Sequence, residues 1–435
     1  MQIDTLLTAR WIIPVEPRGM VYQDYALAIH EGRIIELLPI KEASRYQATH
    51  HIDLADHALL PGLINAHGHA AMSLLRGIAD DLPLMEWLNE HIWPAEQKHV
   101  NTDFAYDGSL LACAEMLRGG TTCFNDMYFF PEETARAAGH AGMRAVVGLI
   151  VINFPSAWAQ DADEYISKGI ELHDQLRNNP LISTAFAPHA PYTVADAPLQ
   201  RILTLAEELD IPIHMHVHET AHEVEESEKE LRMRPLARLE KLGLLNPHLV
   251  SVHMTQLTDN EIAHYASSGA HVVHCPESNL KLASGFCPVH KLQQAGVNIA
   301  LGTDGAASNN DLDMFGEMRT AALLAKAVAG DASAVPAEEV LAMATLNGAR
   351  ALGLEQEIGS LEAGKAADII AVNLSGIETE PLYNPVSQLV YATGRDRVTD
   401  VWVAGKHLLK GRELTTLDSH AILEKTRSWH HKLAH

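Results

Sequence analysis

The chain has 435 residues, 47% hydrophobic and 20% charged, so it can bury a large core and lacks the composition of a disordered segment. Asp and Glu number 56 against 32 Lys and Arg; the formal charge of −24 repels phosphate backbones, which argues against a nucleic-acid partner and leaves a small neutral or cationic substrate open. No apolar run approaches the ~20 residues of a membrane span, Arg10, Pro14 and Glu16 break the opening stretch before a signal-type core forms, and Cys113, Cys123, Cys275 and Cys287 form no CxxC pair, as expected of reduced thiols in a cytoplasmic protein.

Residues 1–58 read as short strands: LLTARWIIPV, YALAIHEGRIIELL and THHIDLADHALL, with Gly32 after Glu31 marking a tight hairpin. Leu59 to Ala70, LLPGLINAHGHA, is an apolar run that turns small and ends in two histidines. The strand-like runs that follow are TTCFNDM (121–127), RAVVGLIV (144–151), LISTAFAPHA (181–190), PIHMHVHE (212–219), HLVSVHM (248–254), AHVVHCP (270–276) and VNIALGTD (297–304). Helix-like stretches such as PEETARAAGHAG, PLQRILTLAEELD and NEIAHYASSG separate most of them. Alternation of this kind predicts parallel pairing. Eight steps over about 290 residues fit a (β/α)8 TIM barrel, whose active residues sit at the C-terminal ends of the strands.

β-rich texture returns after about residue 355, in GSLEAGKAADIIAVN and VTDVWVAGKHLLKGREL. Two β-rich ends around a long middle suggest one small β-domain built from both termini; the alternative is two independent caps. The expected division is 1–58 with 355–420 for the composite domain, 59–354 for the barrel and 421–435 for a C-terminal helix or tail. The tail WHHKLAH reads as a frayed helix end whose histidines carry no function.

The strand ends carry the chemistry. His67 and His69 are two apart, so on a strand both imidazoles face one point, with Gly68 between them. The fourth strand ends in His189, the fifth in His216 and Glu219, the sixth in His253 and the eighth in Asp304. A lone histidine at a strand end is ordinarily structural. Five such ends on one rim need a shared partner, because burying unpaired polar groups is costly. A divalent metal such as zinc suits neutral imidazoles plus one carboxylate. Such a metal lowers the pKa of a water from about 16 toward ~7. Asp304 is then the candidate to accept the water's proton, and Glu219 to deliver one to the substrate. His214, His216 and His218 share parity, so spacing alone does not choose the ligand. HETAH (218–222) matches the zinc-protease pattern HExxH, which needs both histidines on one helical face; IPIHMHV alternates as a strand instead. The acidic run EVEESEKEL reads as a solvated helix face, and no PCxxC accompanies a cytidine-deaminase zinc pattern.

The set AHGH (66–69), HxxE (His216 to Glu219), HM (253–254), PESNLKLASG (276–285) and GTDGAASNN (302–310) resembles the amidohydrolase superfamily, and within it the 5'-methylthioadenosine/S-adenosylhomocysteine deaminases. The resemblance covers nearly the whole chain. It implies that the two ends form a β-sandwich domain beside the barrel. It implies one divalent metal per subunit, zinc foremost, on His67, His69, His216 and Asp304. Binuclear relatives carry a lysine at the end of strand four, and LISTAFAPHA has none. It further implies Glu219 as proton donor to the purine, His253 with Asp304 handling the attacking water, Glu96 accepting hydrogen bonds from ribose hydroxyls, a substrate contact from His189, and Trp87 packing on the apolar end of the substrate. Some relatives carry an arginine in the strand-three run that could meet a homocysteine carboxylate. Leu149 is read at that place here, which favours 5'-methylthioadenosine or adenosine over S-adenosylhomocysteine. The implied reaction is hydrolytic deamination at the 6-amino group of an adenosine-type nucleoside, giving the inosine-type product and ammonia, in a cytoplasmic homodimer. The alternatives are the same scaffold acting on guanine, cytosine or a triazine (including dechlorination), a zinc protease on HETAH, or a non-catalytic metal-binding barrel.

Overall fold

The computed structural model describes residues 1–434; His435, the last residue of the expected tail, lies outside the described residues. The chain begins with β1 (Gln2–Ile12), β2 (Tyr22–His30), β3 (Arg33–Pro39) and β4 (Gln47–Pro61). The β2–β3 turn has both central residues left-handed, Glu31 at φ +50° and Gly32 at φ +75°. That is the type I′ geometry that matches strand twist. A Cβ on Gly32 would lie 2.6 Å from the Ala404 carbonyl oxygen, so the glycine also admits a neighbouring backbone.

The barrel strands follow: β5 (Leu63–Gly68), β6 (Thr121–Asp126), β7 (Arg144–Val151), β8 (Ile182–Pro188), β9 (Ile213–Val217), β10 (Leu249–His253), β11 (His271–His274) and β12 (Asn298–Leu301). Each pairs in parallel with the next, in chain order. Nearly all of their residues are buried, and in β7, RAVVGLIV, all eight are. The helices between them carry ordinary end signals. Pro131 opens the helix Pro131–Ala141 and left-handed Gly142 closes it, while a capping box on Thr258 and Glu261 starts the helix Asp259–Ser268. The first and last strands meet at the C-terminal rim. Asp304 N donates to the His67 carbonyl at 3.1 Å, and the Asn65 amide exchanges two hydrogen bonds with Thr303 at 2.7 and 2.9 Å. Gly302 is required at this junction, since a Cβ there would lie 2.8 Å from His67 N.

The chain ends with β13 (Ile369–Asn373), β14 (Val398–Val403), β15 (Lys406–Lys410) and β16 (Glu413–Leu414). These join the first four strands in one mixed sheet, ordered β16-β15-β14-β13-β4-β1-β2-β3. Only β1 and β4 are parallel neighbours. The sheet is continuous and curls on itself: at its far edge Ile34 N donates to the Lys365 carbonyl at 2.9 Å and Gly364 N to the Ile34 carbonyl at 2.8 Å. Leu7, Leu27, Ile34, Leu59, Ile369 and Trp402, from six strands, pack into the core of its inner face, and Ile3, Leu6, Ala28 and Leu38 form a second cluster on β1, β2 and β3. The small β-domain shared by both ends is therefore present, as one curled sheet. The expected boundary at 58/59 falls inside β4, which runs to Pro61 and passes through Gly62 straight into β5.

The C-terminal segment is a helix from Ser419 to Leu433, the helix expected for 421–435 beginning two residues earlier, and it takes in the first five residues of WHHKLAH. Its Trp429 is buried, donates its indole N–H to Asp107 at 2.9 Å and meets the Phe104 ring edge-on at 5.4 Å. One aromatic anchor docks the helix on Thr102–Arg118.

Candidate active site

Four side chains converge where β5, β9 and β12 end. Ligand atoms of His67, His69, His216 and Asp304 all lie within 4.8 Å of one another. Asp304 Oδ1 is 3.3 Å from His67 Nε2 and 3.1 Å from His69 Nε2. His67 Nε2 and His216 Nε2 are 3.2 Å apart.

The far side of each ring fixes which nitrogen faces that point. His69 Nδ1 lies 2.5 Å from the Met127 carbonyl and His216 Nδ1 2.8 Å from the His189 carbonyl. A carbonyl only accepts, so each ring donates from Nδ1 and leaves the Nε2 lone pair inward. His67 Nδ1 is 2.9 Å from His214 Nε2, so His214 stands behind His67. The parity ambiguity is thereby resolved: His214 backs His67, His216 faces the cluster, and His218 Nε2 accepts from Leu236 N at 3.2 Å.

Lone pairs and a carboxylate packed this closely repel unless a positive charge lies among them, so the donor set fits a divalent cation. The acid–base balance says the same. Burial works to raise Asp304, yet hydrogen bonds and charge from His67 and His69 hold it well below the carboxylate range. Burial lowers His69, but Asp304, the Met127 carbonyl and Asp126 raise it to about 9. His216 is held well below its ordinary value by burial and the neighbouring imidazoles. Ser278 Oγ donates to Asp304 Oδ2 at 2.6 Å, and Gly305 N to Oδ1 at 2.7 Å, so the carboxylate is fixed from behind.

Beside the cluster opens a cavity of about 670 Å³, within the range that takes a nucleoside-sized ligand. Glu219 and His253 stand on its wall, Glu219 Oε1 at 3.9 Å from His253 Nε2. His253 Nδ1 faces Asn279 Oδ1 at 2.9 Å, which turns Nε2 toward the cavity. Burial, with Asp304's charge, pushes the Glu219 carboxyl up, while His253 and His69 oppose. His189 lines the cavity with Nδ1 3.1 Å from Thr193 Oγ1; burial and the surrounding imidazoles push it down to about 3. Left-handed backbone recurs on this rim, at His218 (φ +53°), His253 (+75°) and Asp304 (+63°), as at sites where geometry is imposed by function.

The long excursion between β5 and β6 roofs the cavity. It includes a π-helical turn, Trp87–Ile92, that leads into the helix Trp93–His99. Glu96 hangs from that helix into the cavity and accepts from Tyr128 OH at 2.6 Å. Burial raises it to about 7, against the Tyr128 hydrogen bond and the His69 charge. Trp87 is buried, packs in the main core and also lines the cavity. All the residues expected at the site are thus brought together.

Two readings change. Leu149 does not face the cavity. It packs outward against Gly169 of the helix Ala162–Leu176, and Ile150 and Ile152 line the wall instead. HETAH is no metal site: His218 is fully buried, His222 is exposed, and the helix begins only at Ala221. Sequence reasoning missed Tyr128, His214 and Asn279 as supports. Asn279 and Ser278 lie in the quoted PESNLKLASG; Tyr128 carried no signal.

A (β/α)8 barrel with three imidazoles and a carboxylate on its C-terminal rim defines a class of metal-dependent hydrolases. The sequence signature of the amidohydrolase family matches residues 58–408, and the chain belongs to that family. It is 54% identical to the 5-methylthioadenosine/S-adenosylhomocysteine deaminase of Teredinibacter turnerae, over 99% of this chain and 98% of the relative. A solved adenosine deaminase from Xanthomonas campestris with bound zinc is 55% identical, with a TM-score of 0.99 over 100% of this chain and 99% of that one. The atrazine chlorohydrolase of Arthrobacter aurescens shares the fold, with a TM-score of 0.90 at 23% identity over 98% of this chain and 99% of that one.

Proposed function

We propose that the protein is a zinc-dependent deaminase that replaces the 6-amino group of an adenosine-type nucleoside with oxygen and releases ammonia, 5'-methylthioadenosine being the foremost substrate. The observation that carries this reading is the convergence of His67, His69, His216 and Asp304 beside a cavity that also holds Glu219 and His253. Zinc in the solved relative and the names of the relatives support it. A divalent ion in this cluster supplies the Lewis acidity that makes hydroxide available at neutral pH. Asp304, with His253 beside it, takes the proton of the attacking water. Glu219, whose carboxyl is pushed up by its burial, delivers a proton to purine N1 as C6 is attacked. Glu96 accepts from the ribose hydroxyls, His189 touches the substrate, and Trp87 packs on its apolar end.

The lining also bears on the 5'-substituent. Among the described residues no lysine or arginine lines the cavity, and its acidic members are Glu96, Glu219 and Asp304. Leu84, Leu88, Ile92, Trp93 and Phe154 make the rest of the wall apolar. A neutral methylthio or hydroxyl group fits, whereas the carboxylate of S-adenosylhomocysteine finds no cation. The expectation of a small 5'-group stands on this lining instead of on Leu149. A cytoplasmic location, supported by four unpaired buried cysteines, and a homodimer, inferred from the family alone, belong to the same proposal. Among the described residues no helix is long and apolar enough to cross a membrane.

The test follows the ultraviolet shift of each nucleoside with purified, metal-assayed enzyme. 5'-Methylthioadenosine and adenosine should be converted, and S-adenosylhomocysteine should lag by roughly tenfold or more in kcat/KM, about 1.4 kcal/mol. Zinc-loaded enzyme that converts none of them, but releases ammonia from guanine or cytosine or dechlorinates a triazine, would sink the proposal.

A further inference from the structure

The helices Ala221–Leu231 and Asp259–Ser268 begin with the same pattern, Thr-x-x-Glu, and use it differently. In the second, Glu261 closes an ordinary capping box: its carboxylate accepts from Thr258 N at 2.8 Å, and Thr258 Oγ1 accepts from Glu261 N at 3.3 Å. In the first, Thr220 Oγ1 accepts from Glu223 N at 3.3 Å, but Glu223 reaches past the cap. Its Oε2 accepts from Glu219 N at 2.8 Å and its Oε1 from His218 N at 3.2 Å. Glu261 is neutralised by Arg234, which donates to its two oxygens at 2.7 and 3.0 Å, whereas Glu223 is 8% exposed and faces backbone amides instead, an expensive place for a carboxylate that only caps a helix.

The opposite side of the same two residues is also held. Thr255 N donates to the His218 carbonyl at 2.9 Å, and Thr255 Oγ1 to the Glu219 carbonyl at 2.7 Å. His218 is left-handed, and this turn is what aims Glu219 back at His253. Thr255 has hydroxyl and amide partners elsewhere in the loop as well, Ser284 among them. Glu223 has both carboxylate oxygens committed to the two amides that set the course of the backbone at Glu219.

We infer that Glu223 is a positioning residue for Glu219: its carboxylate bridges the His218 and Glu219 amides and holds the proton-delivering side chain on the cavity wall. The inference rests on the deaminase reading, in which Glu219 is the proton donor. The carboxylate shape matters, since only a group with two acceptor oxygens meets both amides. A glutamine in its place offers one oxygen and turns an N–H₂ toward the other amide.

The experiment is a double-mutant cycle on zinc-loaded enzyme with 5'-methylthioadenosine, reading kcat, KM, zinc content and Tm. Glu223→Gln is expected to lower kcat by ten- to hundredfold, with KM within threefold of the parent and one zinc per chain retained. In the Glu219→Gln background the same change is expected to cost less than twofold, because the side chain it positions no longer delivers a proton. Glu223→Asp, which keeps the two-oxygen carboxyl but falls short of the two amides, is expected to behave as Glu223→Gln does, and serves in its place if that variant does not fold. Losses that multiply in the double variant, loss of zinc matching the loss of rate, or a Glu223→Gln or Glu223→Asp enzyme within twofold of the parent kcat each overturn the inference. A parent enzyme inactive on every nucleoside overturns the deaminase reading instead.

Discussion

Glu219 and Glu96 are both carboxyls raised by burial, yet opposite protonation states are required of them. Glu219 is to give a proton away. Glu219→Gln keeps the size of the side chain and removes the exchangeable acid, so kcat should fall by roughly 10²–10⁴-fold, with zinc content unchanged. Turnover near the parent rate in that variant would remove Glu219 from its proposed role. Glu96 is to receive hydrogen bonds from ribose, which an ionised carboxylate does best. Its carboxyl sits at about 7, chiefly through burial, so protonation below that pH weakens the acceptor. KM should therefore rise as pH falls through 7, and Glu96→Gln should flatten that limb of the kcat/KM profile. A limb that survives the substitution assigns the titration to another group.

The elements that place these residues differ in how far the sequence reveals them. β7 is buried on both faces, so it stands out as an apolar run and spans the residues expected of it, 144–151. The same double burial hides which face is which. Nothing in RAVVGLIV says that Ile150 looks inward and Leu149 outward, because no polar partner alternates with them. The roof over the cavity was hard to read for the opposite reason. A short helix, a π-helical turn and a second helix between Leu84 and His99 keep no steady period. The joint between barrel and sheet was not legible at all. Arg144, at the start of β7, donates to both oxygens of Asp368 at 3.0 and 3.3 Å and to the Pro180 carbonyl at 3.2 Å. Asp368 also accepts from Ala404 N at 2.8 Å. Both side chains of this pair are more than 90% buried. Arg144→Met leaves the buried Asp368 with the Ala404 amide but no cation, and should cost about 3–5 kcal/mol, read as a lowered thermal midpoint. An unchanged midpoint would mean that the joint is held by apolar packing alone.

For the molecule as a whole, the histidine-rich rim was legible because five strand ends in one fold meet at one place. The choice of His216 over its neighbours was not, because residues two apart share a face and only tertiary partners separate them. The cluster also couples ligand to stability. In the metal-free protein His69 binds a proton more tightly than its ordinary value, at about 9, with Asp304 outweighing the opposing burial. Stability from that proton is complete below about 6.5 and is lost as pH rises through 9. Stripped with a chelator, the protein should lose thermal stability across this window, while zinc-loaded enzyme holds its midpoint. Parallel pH curves for the two forms would contradict that assignment. The curled sheet has a consequence of a different kind. β4 ends at Pro61, and its partner β13 begins only at Ile369. A ribosome must therefore build the whole barrel before β4, already paired with β1 on one side, finds its second neighbour. Until then one edge of β4 is bare, a template for joining another nascent chain. Synthesis halted after the helix Leu346–Ala351 but short of Ile369 should yield chains that clump through their beginnings, while the barrel inside them is already complete.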